Sequence, residues 1–144
     1  MSPKISRRTL LKTVLAAGIA GMVPPIRAAD PPSQSAQKVL DKLFGHAVIT
    51  PTDRIAIEIV DLAEDGAVVP IQVRAQLECV ESVSFIAEKN PTPLIGAFEL
   101  GPNVLPAIAT RIKLAESCHV IAVVKAQGRL YSVSKYVRVI KGGC

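Results

Sequence analysis

The sequence predicts an antiparallel β-sandwich, on three observations. From residue 55 onward the apolar residues recur every second position, the period of a strand with one buried face. Turn signals built on Gly, Pro, Asn and Asp interrupt this alternation at near-regular spacing. About seven short strands result, a number suited to two packed sheets of immunoglobulin-like type, with a short helix ahead of them and a flexible arm behind. The chain is 144 residues long, which fits one domain.

The N-terminus comes first. Ser6, Arg7, Arg8, Thr9, Leu10, Leu11 and Lys12 precede an apolar run over residues 13–23, and then Pro24, Pro25, Ala28 and Ala29. A basic start, a short apolar middle and a small-residue exit make an export signal over residues 1–29. The run is too short and too rich in Gly and Ala to span a bilayer, so no membrane anchor is expected. Arg7 and Arg8, followed by Leu and Lys, resemble a twin-arginine signal with Leu10 where that motif has Phe; an ordinary secretion signal is the alternative. Cleavage is expected near Ala28 or Ala29, although Ile26 or Arg27 would then stand three residues before the cut. The mature protein is expected in the periplasm.

Residues 30–34 are a polar, Pro-rich linker. Residues 35–45 read as a helix, with Val39, Leu40, Leu43 and Phe44 on one face, Ser33 or Ser35 as cap and Gly45 as stop. Such a helix would lie on the sandwich as a lid; a partner-binding helix is the alternative. The strands follow. Residues 55–60 alternate around Ile55, Ile57 and Ile59, and Glu64, Asp65 and Gly66 signal a turn. Residues 69–75 form the next strand, which Pro70 restricts to a strand start or an edge. Residues 80–88 end in the turn Asn90-Pro91-Thr92-Pro93, and residues 94–100 end at Gly101 and Pro102. Residues 108–114 alternate again, and residues 119–126 and 130–140 flank a hairpin at Gln127 and Gly128.

The formal charge of +5 invites a nucleic-acid partner, but its location argues against one. Residues 1–29 hold Lys4, Arg7, Arg8, Lys12 and Arg27 and no acid. Removing these five from seventeen lysines and arginines leaves twelve against twelve acids from Asp30 onward. With three Phe, two Tyr and no Trp there is neither a basic footprint nor a stacking surface for nucleic acid.

The last stretch, Lys141-Gly142-Gly143-Cys144, carries the chemistry. Gly142 and Gly143 after the final strand make a thin, flexible tether over residues 141–144, and Cys144 places a thiol beyond it. Extended, four residues reach on the order of 13 Å past the sandwich. The thiolate is the reactive form, and an exposed cysteine begins near pKa 8.5; Lys141 would lower that slightly. An exported protein with three cysteines has one left over or bridges to another chain. Cys79 and Cys118 each precede a strand, so a structural disulfide between them is one reading and two separate buried thiols the other. Cys144 paired with either would remove the handle. Cys118 and His119 alternate across a strand and so face opposite ways, which disfavours shared metal binding. His46 and His119 are read as structural, and Asp61, Glu64 and Asp65 as a solvated turn. No catalytic set, glycine-rich phosphate loop or metal cluster is evident, so neither cofactor nor metal is expected.

Five strings together resemble the SoxY family: Val80-Glu81-Ser82-Val83, Glu88-Lys89-Asn90-Pro91-Thr92-Pro93-Leu94, Thr110-Arg111-Ile112-Lys113, Val123-Val124-Lys125-Ala126 and Leu130-Tyr131-Ser132. The likeness runs from the helix at Ser35 to the end and includes the twin-arginine leader and the glycines with cysteine. It implies a non-enzymatic sulfur carrier of thiosulfate oxidation, with intermediates held covalently on Cys144. It further implies a SoxZ-like subunit as heterodimer partner. Passing contacts would follow with SoxXA, a haem enzyme that couples thiosulfate oxidatively to the sulfur, with SoxB, which releases sulfate, and with a sulfane dehydrogenase. Residues 35–140 would be the SoxY-like domain. Two departures stand out. The family's arm reads Gly-Gly-Cys-Gly-Gly, whereas this sequence stops at Cys144; a terminal carboxylate there would raise the thiol's pKa by like-charge repulsion. Cys79 and Cys118 also depart from a single-cysteine pattern. The competing function is a non-carrier sandwich that dimerises through a Cys144 disulfide. A metal chaperone using Cys118 and His119 is a weaker third.

Overall fold

A computed structural model describes residues 31–143. The segment read as an export signal, with Arg7 and Arg8, and Cys144, the expected carrier position, lie outside the described residues. Among the described residues one helix and nine strands follow one another: α1 (Gln34–Phe44), β1 (Ile49–Pro51), β2 (Ile55–Ile59), β3 (Leu62–Asp65), β4 (Val69–Ala75), β5 (Val80–Ala87), β6 (Leu94–Glu99), β7 (Ala107–Ile112), β8 (Cys118–Ala126) and β9 (Arg129–Lys141). The large sheet runs β1-β9-β8-β5-β6 and also takes in β3, which pairs with β9; the small sheet runs β2-β4-β7. The fold is the expected β-sandwich.

The strands of the small sheet are shaped by alternation, most strictly in β4. Val69, Ile71, Val73 and Ala75 of β4 are buried, with the residues between them facing outward. Pro70 is tolerated because it lies just beyond the last pair with β2, Ile59 with Ile71, so no ladder bond from its nitrogen is missed. β8 behaves differently. Val120, Ala122 and Val124 enter the core between the sheets, and Ile121 and Val123 are covered on the opposite face by Ala36, Leu40 and Leu130. A strand buried on both faces reads as a continuous apolar run, which is what residues 120–124 show.

The cover on that second face is α1, the lid expected from its periodicity. Ser33 caps it, its Oγ accepting from Ala36 N at 3.3 Å, and Gly45 ends it at φ 64°. Glu88 fixes the helix start to the sheet: its Oε1 accepts from Ser33 N at 2.9 Å and its carbonyl accepts from Ser35 Oγ at 2.9 Å. Between β8 and β9, Gln127 at φ 51° and Gly128 at φ 71° form the predicted hairpin turn. Glu81 Oε1 accepts from Gly128 N at 2.9 Å, and Lys125 Nζ lies 2.7 Å from Glu81 Oε2.

Two strands go beyond the sequence reading. β1 and β3 both pair with β9 in parallel, β1 against residues 130–132 and β3 against residues 138–141. The expected turn at Glu64, Asp65 and Gly66 therefore begins later, because Glu64 and Asp65 belong to β3. The chain leaves the large sheet after β1, contributes β2 to the small one, and returns as β3.

Candidate functional site: the tail end of the sandwich

β9 carries the chain to the tail, and three segments converge where it ends. Gly66 N donates to Lys141 O at 2.7 Å, Leu114 N to Gly66 O at 2.8 Å, and Gly143 N to Leu114 O at 2.9 Å. The tail thus lies between the turn at Gly66 and Ala67 on one side and Leu114 and Ala115 on the other. The expectation of a free tether is corrected here: Gly142 and Gly143 are docked. Neither has a positive φ, so conformational freedom is not what calls for glycine. Space is. A Cβ on Gly142 would strike the Ala115 carbonyl oxygen, and one on Gly143 would strike the backbone of Ala67 and Gly66. A Cβ on Gly66 would strike the Leu114 carbonyl oxygen and stand 2.9 Å from Gly143 N.

Side chains stiffen both walls. Asp65 Oδ1 accepts from Ala67 N at 2.8 Å across the first turn. Opposite, Asn90 Nδ2 donates to Lys113 O at 2.8 Å and its Oδ1 accepts from Ala115 N at 2.9 Å. The Leu114 side chain is fully buried in the core. Ser117 Oγ accepts from Val139 N at 2.8 Å and holds the end of β9. None of Gly66, Leu114, Ala115, Asn90 and Ser117 stands out in the sequence as part of a site. Gly66 and Asn90 leave a trace, each as a turn residue.

Of the two readings of the internal cysteines, the Cys79–Cys118 disulfide is corrected outright and the pair of buried thiols holds for Cys118 alone. Both are free thiols, Cys79 exposed and Cys118 buried. Cys79 adjoins the pair Val80 with Ala126, whereas Cys118 begins β8, next to the pair Ala87 with Val120. The first residues of antiparallel neighbours lie at opposite ends of their ladder. That separation is roughly 25 Å at about 3.4 Å per residue, far beyond the ~5.5 Å between Cα atoms that a bridge needs. Burial raises the Cys118 pKa, against smaller lowering by the backbone of Lys89 and Glu88.

Cys118 turns into the core while its neighbour His119 turns outward, as alternation required; the pair offers no joint metal site. His119 Nδ1 stands 3.4 Å from Glu88 Oε2, and its ring meets Tyr136 edge-on at 5.1 Å. His46 is exposed after α1. Asp61 pairs with Lys135 at 2.9 Å.

A β-sandwich whose last strand leads through a diglycine to a cysteine is the class this chain presents, and the comparisons place that class in sulfur oxidation. Residues 40–144 match the family described as sulfur oxidation protein SoxY. The chain belongs to the SoxY family and has a role in sulfur oxidation, within a Sox system of partner proteins. Among solved structures it resembles the sulfur carrier protein SoxY from Chlorobium limicola f thiosulfatophilum, at 28% identity and a TM-score of 0.67, over 73% of this chain and 94% of that one. The fold alone is shared with the superoxide reductase (neelaredoxin) from Ignicoccus hospitalis, at 17% identity and a TM-score of 0.52, over 63% and 94% of the two chains. A point variant of that reductase matches at 14% identity and a TM-score of 0.52, over 73% and 89%. No curated protein matches the chain.

Proposed function

We propose that this protein carries sulfur intermediates of thiosulfate oxidation covalently on Cys144 and presents them to partner enzymes. The observation that carries this reading is that the family match extends through Cys144, the residue that follows the diglycine at the end of β9. In the first step the Cys144 sulfur bonds to the outer sulfur of thiosulfate. The thiol proton passes to solvent and two electrons leave to a haem partner of SoxXA type. Water then attacks the terminal sulfonate sulfur; sulfate leaves, and the electron pair of the broken bond stays with the outer sulfur as a persulfide on Cys144. The chain contributes a nucleophile and a base to hold it, and catalysis belongs to SoxXA-, SoxB- and sulfane-dehydrogenase-like partners. It requires no cofactor of its own. A SoxZ-like subunit completes the heterodimer, and the site of action is the periplasm, reached through the signal containing Arg7 and Arg8.

The test is the intact mass of protein purified from thiosulfate-grown cells, with and without reductant. Reductant-labile additions of sulfur or thiosulfate on the Cys144 peptide are expected, and Cys144→Ser should abolish them. A Cys144 that stays unmodified with thiosulfate and the haem partner supplied, or that forms only a reductant-sensitive dimer, overturns the reading.

A further inference from the structure

We infer that the turn at Gly66 and Ala67, together with Leu114 and Ala115, forms a docking slot for Gly142 and Gly143, and that the tail alternates between this docked state and a released one. The inference rests on the carrier reading for its purpose, though not for its geometry. Two backbone hydrogen bonds tie the tail itself, Gly66 N to Lys141 O at 2.7 Å and Gly143 N to Leu114 O at 2.9 Å. A third, Leu114 N to Gly66 O at 2.8 Å, closes the two walls on each other beneath it. Each of three glycines occupies a place where a Cβ would meet backbone rather than a side chain able to swing aside. Three such positions, one in the facing turn and two in the tail, describe a fitted seat.

The walls are held independently of the tail. Asp65 braces one through Ala67, and Asn90 braces the other through Lys113 and Ala115. The slot therefore persists when the tail leaves and can receive it again. Docked, the chain is fixed as far as Gly143 and one residue of reach remains, about 3.5 Å. Released from Lys141, four residues extend on the order of 13 Å. Entry of Cys144 into a narrow partner site requires the longer reach, so release precedes delivery. Gly66 is the positioning residue of this equilibrium, because it donates to Lys141, accepts from Leu114 and leaves the space that Gly143 fills.

Amide exchange and thiol alkylation on the full chain test the slot. In the unchanged protein the Gly143 amide should exchange more slowly than in a free peptide. Gly66→Ala and, separately, Gly143→Ala should bring the amide of residue 143 to the free-peptide rate and speed iodoacetamide labelling of the Cys144 peptide on the order of tenfold, the factor that about 1.4 kcal/mol corresponds to. Gly143→Ala alters only the tail, so it remains informative if Gly66→Ala disturbs the sandwich. A Gly143 amide that already exchanges freely, or labelling unchanged in Gly143→Ala, overturns the slot. Thiosulfate loading, measured by mass on the same samples, reports separately on the carrier reading. Faster labelling without any sulfur adduct would leave the slot standing and remove the carrier; normal loading with unchanged exchange would do the reverse.

Discussion

Cys118 and Cys79 are chemically alike and physically opposite. The first is packed among Val120, Val137 and Leu114 in the core, and burial holds its thiol neutral by raising its pKa. A folded pKa above the unfolded value of about 8.5 gives a stability contribution that is complete below that value and lost as pH rises toward the folded pKa. Denaturation midpoints should therefore fall more steeply with rising alkalinity in the native protein than in Cys118→Ala, and equal slopes would exclude the thiol as the cause. Cys79, exposed at φ 51°, sits in a backbone region that suits glycine better. A pairing of these two residues fails on register. Both stand at strand starts, as expected, but the sequence does not state which strands are neighbours or which way they run.

Among the elements, legibility follows length and regularity. β4 alternates over seven residues and matches its expected bounds at both ends, and α1 starts one residue earlier than its periodicity suggests. β1 and β3 span three and four residues, too few for any period to show, and they exist because β9 offers them an edge. The slot is hidden for a related reason. A diglycine read alone suggests slack, and only the approach of Gly66 and Leu114, distant in sequence, turns it into a fitted contact. At α1 the dependence is local and can be weighed. Ser33 Oγ caps the helix, while its backbone N–H, which alanine keeps, donates to Glu88; Ser33→Ala should therefore cost about 0.5–2 kcal/mol of stability, the range for loss of the cap alone. Urea denaturation would read this; a change near zero would show that Glu88 alone seats the helix.

The described residues hold together through one core between the sheets and a second beneath α1, with β5 and β8 feeding both. Phe85 is the largest of the fully buried side chains and meets Phe98 edge-on at 5.8 Å. Phe85→Ala should cost about 3–5 kcal/mol, a large share of the roughly 5–15 kcal/mol typical of a domain. The denaturation midpoint should drop with little change in slope, since both sheets share that core; a split, two-step transition would show that they unfold separately.

β9 runs for thirteen residues, flanked by β8 along residues 129–137 and by β1 and β3 toward its two ends on the other edge. On the proposed function, a partner drawing on Cys144 would transmit its pull to the sheet through β9. The ladders on both edges would then bear the load together, in shear, whereas the two bonds holding the tail would give way one after the other. The domain is thus anchored like a post under a short rope: tension is spent on freeing the last few residues before it can disturb the sheet to which they are tied.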